Sequence, residues 1–274
     1  MGHASAALPV IDLASPDIGA ATKSIRQALV DYGFFYVINH GIDDALMKSV
    51  YAESASFFQQ PMEEKMALHK NSSHRGYIPP DFEGFEADAG GKGDLLECFH
   101  IGSGVDGDSK NPVNQWPPAE RFPYWKETMK SYYQCAMGTS KRILSLIALS
   151  LDLDAEFFKP DGSETILRPI HYSGRAIESK HGSDHGANAH TDYGMLTLLS
   201  TDGTPGLQVC AHNSSALVSF VILANHTTMH TSTLYVCVVG IYIYILAMFL
   251  LYYECIDMQG QGWPSPALGR CSSH

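Results

Sequence analysis

Apolar positions in the first third of the chain alternate between helical and strand spacing. Ser15-Pro16-Asp17 supplies helix-start chemistry, and apolar residues at i, i+4 and i+5 then predict an amphipathic helix over 18–32. The continuous apolar run 34–38 predicts a buried strand after Gly33. A second helix is predicted over 43–58, and Pro61 starts a short acidic helix over 62–68.

The middle of the chain continues the mixture of helix and strand. Gly, Pro, Asp and Ser dominate 70–94 and 102–118, so both stretches are predicted as loops. The longest apolar stripe with helical spacing spans 119–151. Strands are predicted at 95–101 and 167–172, and a strand, a turn and a short second strand at 194–209. This pattern predicts an α+β fold.

Composition and charge exclude several classes of function. The chain has 274 residues, 45% of them hydrophobic, which suffices for a sizeable core. A formal net charge of -11 and the lack of any basic run argue against nucleic-acid binding. Six cysteines without a CxxC pair argue against a zinc knuckle or a disulfide scaffold. No secretory signal precedes the first strand, so a cytoplasmic protein is expected.

His190 and Asp192 are the candidate metal ligands. They are two residues apart, so both side chains leave the same face of an extended strand and can converge on one cation. An imidazole and a carboxylate form two thirds of the facial triad that holds non-haem Fe(II). The same pair alone also fits a polar strand end, so the interpretation depends on the rest of the chain.

Three other segments resemble one enzyme family. They are 8–13 (LPVIDL), 33–42 (GFFYVINHGI) and 74–77 (HRGY), and they are similar in order and spacing to plant-type 2-oxoglutarate/Fe(II)-dependent dioxygenases, which include isopenicillin N synthase-like oxidases. With His190-Thr191-Asp192 added, the resemblance runs from about residue 8 to residue 209.

The resemblance implies a fold and a chemistry. The expected fold is an N-terminal α/β region (1–118), then a bracing helix and part of a double-stranded β-helix, or jelly roll (119–210). His190 and Asp192 would bind Fe(II), and Tyr172 would bind the co-substrate 2-oxoglutarate, although Ile170 replaces an Asn of the family. No catalytic residue beyond the metal ligands is predicted. With O2, such an enzyme hydroxylates or desaturates a small molecule, and no protein partner is predicted.

The family pattern breaks after about residue 210. The second metal His should fall near 242–251, where the sequence has none. Arg270-Cys271-Ser272 spells the R-x-S pair that would bind 2-oxoglutarate, but Gly260 stands where the family has His, so the match is interpreted as accidental. The tail candidates for a third ligand are His212, His226 and His230.

The tail 211–274 therefore has two interpretations. Segment 234–253 has no charged residue and is long enough to cross a bilayer as a helix, which would make the chain tail-anchored. Alternatively, 211–274 is the product of an altered transcript. Either interpretation leaves the jelly roll incomplete, with unpaired strand edges. The functional hypotheses are an active dioxygenase, an impaired or inactive partial fold, and a membrane-anchored variant.

Overall fold

The computed structural model describes residues 8–80, 96–103, 114–158, 165–172 and 195–204, together with the backbone of 234–237. These ranges contain helices and strands in mixed order, as the sequence predicts. The helices are α1 (Ile18–Asp31), α2 (Asp44–Phe58), α3 (Met62–Met66) and α4 (Trp125–Ser150). The strands are β1 (Val10–Asp12), β2 (Phe34–Ile38), β3 (Gly76–Ile78), β4 (Leu96–Gly102), β5 (Ile166–Leu167), β6 (Ile170–Tyr172), β7 (Thr197–Leu199) and β8 (Leu234–Cys237).

The first two helices begin where the sequence predicts, because an Asp caps each one. The Asp17 carboxylate accepts a hydrogen bond from the Ala20 backbone N–H at 2.8 Å, and the Asp43 carboxylate accepts one from Ala45 at 2.6 Å. Each contact satisfies a backbone donor that the first helical turn leaves without a partner. The predicted starts of both helices are confirmed.

Three predicted boundaries are wrong for reasons of local chemistry. Helix α4 begins at Trp125 instead of residue 119, because Pro123 cannot donate a backbone hydrogen bond and disfavours helical geometry in the residue before it. Strand β3 lies inside the stretch predicted as loop. The single strand predicted over 167–172 is divided into β5 and β6, and Pro169 stands between them without a donor for the sheet.

The first sheet has the strand order β1-β2-β8-β7. Strand β1 runs parallel to β2, and β8 runs antiparallel to both β2 and β7. Strand β8 comes from 211–274, after the point where the family pattern breaks, and it pairs with one edge of β7. The expectation that the jelly roll has unpaired strand edges stays a prediction.

Strand β8 also bears on the predicted membrane helix. Leu234–Cys237, the first four residues of that segment, form a strand instead of a helix. The rest of 234–253 lies outside the described residues. Among the helices that the structure describes, none is both long and apolar enough to cross a bilayer.

The second sheet is built around β4. Strand β3 pairs with one edge of β4, and β5 and β6 pair with the other edge. The strands that would complete a jelly roll fall largely on residues outside the described ranges, as do 81–95 and 104–113 of the predicted loops. The jelly roll and the three predicted region boundaries therefore stay predictions.

Two large hydrophobic clusters hold the sheets against the helices. One cluster packs α1 and the C-terminal half of α4 against β1 and β2. The other is aromatic and packs α2 and the N-terminal half of α4 against β3 and β4, with Phe57 at its centre. The Phe57 ring lies 5.2 Å from Phe99 and 5.9 Å from Trp125, in edge-to-face and tilted arrangements that aromatic pairs favour.

The segment Asn114-Gln115-Trp116 fixes the position of β3 and β4. The Asn114 side chain donates to and accepts from the backbone of Gly102, at the end of β4. The Gln115 amide donates to the carbonyls of His69 and Arg75, beside β3. Gly76 is required at the start of β3, because its φ of +117° is unfavourable for other residues and a Cβ there would collide with the Leu68 carbonyl oxygen and the Gln115 side chain.

Candidate active site

Strand β6 positions Tyr172, the predicted 2-oxoglutarate ligand. In the antiparallel register of β4 and β6, Tyr172 lies opposite Leu96, and Ile170 lies opposite Cys98. Side chains alternate along a strand, so these four residues share one face of the sheet. Leu96 and Cys98 are buried there with Ile78, and Ile170 packs against them.

Tyr172 is 53% exposed and stands at the end of this apolar patch. A half-exposed phenol beside a buried apolar wall can donate a hydrogen bond to a ligand carboxylate while the wall contacts the ligand's carbon atoms. Ile170, at the position of the family Asn, adds apolar surface and no second polar contact. We call this surface the Tyr172 face.

The predicted metal ligands His190 and Asp192 lie outside the described residues. Within the ranges that the structure does describe, no group of three or more His, Cys, Asp and Glu side chains could hold a metal ion. The donor chemistry of His190 and Asp192 fits Fe(II), because imidazole nitrogen and carboxylate oxygen are the ligand types of the facial triad.

The opposite face of the same two strands carries a buried polar cluster, which we call the Glu97 cluster. Glu97 on β4 accepts hydrogen bonds from three side chains: Lys65 of α3 at 2.6 Å, Tyr77 of β3 at 2.5 Å and His171 of β6 at 2.8 Å. The side chains of Lys65 and Glu97 are only 7% and 6% exposed. The imidazole of His171 also stacks on the Phe58 ring, with the ring centres 5.6 Å apart.

The hydrogen bonds decide the charge of Glu97. Burial alone would raise the pKa of its carboxyl, but hydrogen bonds from Lys65, Tyr77 and His171, together with the Lys65 charge, hold that pKa below its usual range. Burial and the neighbouring Glu97 carboxylate both raise the pKa of Tyr77, which keeps its hydroxyl protonated as a donor. An ionised Glu97 only accepts, so His171 Nδ1 carries the proton that it donates.

The Glu97 cluster was not predicted from the sequence. Its members come from four separate elements, and no spacing rule connects Lys65 to Glu97 or Glu97 to His171. The available signal was Glu97 itself, a charged residue inside the apolar run Leu95-Leu96-Glu97-Cys98-Phe99. A buried charge of that kind is retained only with partners.

His40, in the segment 33–42 that resembles the family, has a structural role. It is buried, its Nδ1 accepts a hydrogen bond from the Ile42 backbone N–H at 3.1 Å, and its carbonyl accepts one from Thr139 of α4. These contacts fasten the turn between β2 and α2 to α4. The imidazole of His40 therefore stabilises this turn.

Comparison with known proteins supports the resemblance found in the sequence. Residues 8–119 match the model of the N-terminal region of non-haem dioxygenases in morphine synthesis. Azadirone synthase LFS from Melia azedarach is 36% identical over 222 residues, which cover 76% of this chain and 65% of that protein. The 2-oxoglutarate-dependent dioxygenase citB from Monascus ruber is 32% identical over 223 residues, covering 74% of this chain and 67% of that protein.

Solved structures show the same relationship. The chain superposes on a full-length Neurospora crassa protein in complex with alpha-KG with a TM-score of 0.73 and 25% identity, covering 89% of this chain and 76% of that chain. A 2OG-Fe(II) oxygenase family protein from Caulobacter crescentus matches with a TM-score of 0.68 and 25% identity, over 85% of this chain and 73% of that one. The chain spans 65% of the length of azadirone synthase, a little less than two thirds.

Proposed function

The chain belongs to the 2-oxoglutarate/Fe(II)-dependent dioxygenase family, and we propose that it uses Fe(II), 2-oxoglutarate and O2 to hydroxylate or desaturate a small organic molecule. The family's enzymes couple the oxidative decarboxylation of 2-oxoglutarate to the oxidation of a second substrate. The iron would supply that redox chemistry once bound. The residues of this chain would bind the metal, orient the co-substrate and exclude water.

The proposed ligands have distinct tasks. His190 and Asp192 would bind the metal from the same side of one extended segment. Tyr172 would donate its hydroxyl proton in a hydrogen bond to a 2-oxoglutarate carboxylate, and thereby orient the co-substrate. The buried residues Leu96 and Cys98 would keep water away from one side of the co-substrate.

The observation that carries this proposal is the position of Tyr172. The sequence resemblance assigns it to the co-substrate, and in the structure its side chain is half exposed at the edge of a buried apolar patch. A tyrosine that served only the core would be expected to be buried, as Tyr77 is. This placement supports a ligand-binding role for Tyr172.

A second candidate is an inactive or impaired member of the family. This candidate is favoured by the sequence of the tail. Residues 242–251 contain no His, and Gly260 stands where the family has a His ahead of the R-x-S pair. His190 and Asp192 supply two of the three protein ligands of a facial triad. An active site in this chain would then need His212, His226 or His230 as the third ligand.

Anaerobic titration separates these two functions. Fe(II) and then 2-oxoglutarate are added to the purified chain while the visible charge-transfer band of the chelated complex is recorded. A saturable band that His190→Ala abolishes, and that the control His74→Asn leaves unchanged, would establish the proposed site. Asn is the control residue because the backbone of His74 has a positive φ, which Asn tolerates.

No band under conditions where an intact relative gives one would establish the inactive fold. Turnover is tested next, by succinate release from 2-oxoglutarate in the presence of candidate small molecules. The variants His212→Ala, His226→Ala and His230→Ala test the third ligand. Only the residue that binds the metal should weaken the band when it is replaced.

A further inference from the structure

The Glu97 cluster lies directly behind the Tyr172 face. His171 and Tyr172 are consecutive residues of β6, so their side chains leave opposite faces of the sheet. His171 lies opposite Glu97 in the β4–β6 register, and Tyr172 lies opposite Leu96. Any force that fixes the position of His171 therefore also fixes the direction of Tyr172.

The backbone of β6 gives only a weak restraint on its register. The strand is three residues long, and Pro169 just before it accepts a hydrogen bond from the Phe99 backbone N–H at 3.0 Å but has no N–H of its own to donate to β4. A shift of the strand by one residue would place Tyr172 on the face of the sheet that carries the Glu97 cluster, and His171 on the Tyr172 face. Short strands need side-chain contacts to exclude such shifts.

The contacts of His171 supply that restraint. Its Nδ1 lies 2.8 Å from Glu97, and its ring stacks on Phe58 of α2 with an interplanar angle of 19°. Glu97 is in turn held by Lys65 of α3, whose ammonium also donates to the Phe58 carbonyl at 3.1 Å. The restraint on β6 is thus anchored in two helices.

We propose that Glu97 and Lys65 are positioning residues for 2-oxoglutarate binding, which hold His171 so that β6 keeps the register that directs Tyr172 to the co-substrate. This inference rests on the proposed function, because it takes Tyr172 as a ligand of 2-oxoglutarate. Glu97 and Lys65 themselves do not touch the co-substrate, since they lie on the other face of the sheet.

The test uses two variants of His171 in the full chain. His171→Phe keeps the stack on Phe58 but removes the donor to Glu97. His171→Asn restores a donor, because its side-chain amide nitrogen lies at the same number of bonds from the backbone as Nδ1. The His171 side chain is 46% exposed, so both variants are expected to fold. The control is Ile166→Phe, an exposed position of β5 outside the cluster.

Two quantities are measured for each variant: the 2-oxoglutarate Kd from the anaerobic charge-transfer titration, and hydrogen exchange of the amides of 166–172. The loss of a hydrogen bond to a charged group predicts that His171→Phe raises both the Kd and the exchange rate about tenfold. His171→Asn should return both to within about threefold of the native chain, and Ile166→Phe should change neither. Exchange at 34–38 serves as the internal reference.

Three other outcomes would overturn either this inference or the proposed function. Unchanged exchange at 166–172 in His171→Phe overturns the inference, because β6 then keeps its position without the Glu97 contact. Faster exchange with an unchanged Kd also overturns it, since the cluster would serve stability alone. A native chain that exchanges slowly at 166–172 but binds no 2-oxoglutarate would instead overturn the proposed function.

Discussion

The two faces of β4 differ in what they contact. The face that carries Glu97 and Phe99 packs on helices, with the aromatic cluster at one end and the Glu97 cluster at the other. The face that carries Leu96 and Cys98 contacts a small apolar group and ends at the half-exposed Tyr172. One strand thus connects a side that packs on helices to the side for which ligand binding is proposed, and substitutions on the two sides should have different consequences.

The largest effect is expected on the helix-facing side, from Phe99→Ala. Phe99 is fully buried, with its ring 5.2 Å from Phe57 and 5.0 Å from Trp125. Removing such a ring should lower the free energy of unfolding by about 4 kcal/mol. Cys98→Ala, one residue away on the other face, should lower it by about 1 kcal/mol. Urea unfolding measures both, and equal losses would contradict the comparison.

Lys65→Met should have the next largest effect. It leaves Glu97 buried without its cationic partner, which should cost about 3 kcal/mol of unfolding free energy. Adding Glu97→Leu should recover part of that loss, because it removes the unpaired buried charge, but the buried Tyr77 hydroxyl then loses its carboxylate acceptor. Urea unfolding is measured for Lys65→Met, for Glu97→Leu and for the double variant. If the loss of unfolding free energy in the double variant equals the sum of the losses in the two single variants, Lys65 and Glu97 are not coupled as the structure indicates.

The acid side of the stability curve tests the charge of Glu97. Its pKa is lowered in the folded protein, so its contribution to stability is complete above the unfolded carboxyl value of about 4.3 and is lost as pH falls through the folded value. Glu97→Gln should therefore flatten the dependence of unfolding free energy on pH below about pH 4.

The matched control for this pH effect is Glu64→Gln. Glu64 pairs with Arg121 on the surface, where their side chains are 41% and 49% exposed. An exposed pair of this kind contributes about 0–1 kcal/mol, so the control should leave the acid slope almost unchanged. A control slope as flat as that of Glu97→Gln would mean that burial in the cluster does not set the acid response.

Tyr172→Phe should have the smallest effect on stability and a specific effect on binding. The side chain is half exposed, so the free energy of unfolding should change by less than about 0.5 kcal/mol. If the hydroxyl binds 2-oxoglutarate, the Kd for that molecule should rise about tenfold. A large loss of stability with an unchanged Kd would reverse the assignment of the two faces.

Local signals made the helices and the early strands predictable. Asp17 and Asp43 cap α1 and α2, and the unbroken apolar run 34–38 forms β2. The role of Tyr172 at the co-substrate, which comes from the resemblance of its segment to a known family, stays a prediction. In each case the information lies within a few neighbouring residues.

The Glu97 cluster and β8 depend on contacts between distant segments. Lys65, Glu97 and His171 meet only after α3, β4 and β6 have packed, so the sequence shows isolated charged residues and not a network. Leu234–Cys237 looks like part of a membrane helix by hydropathy alone, but its backbone pairs with β2 and β7. Hydropathy records burial without recording whether lipid or protein surrounds the segment.

The position of β8 has a consequence for synthesis on the ribosome. Strand β2 leaves the exit tunnel about 200 residues before β8, which corresponds to about 10–40 s at ~5–20 residues per second. During that interval one edge of β2 lacks β8, the strand that pairs with it in the folded protein. Newly made chains should therefore depend on chaperones that bind nascent apolar strands, and slower translation of the last third should lengthen that dependence.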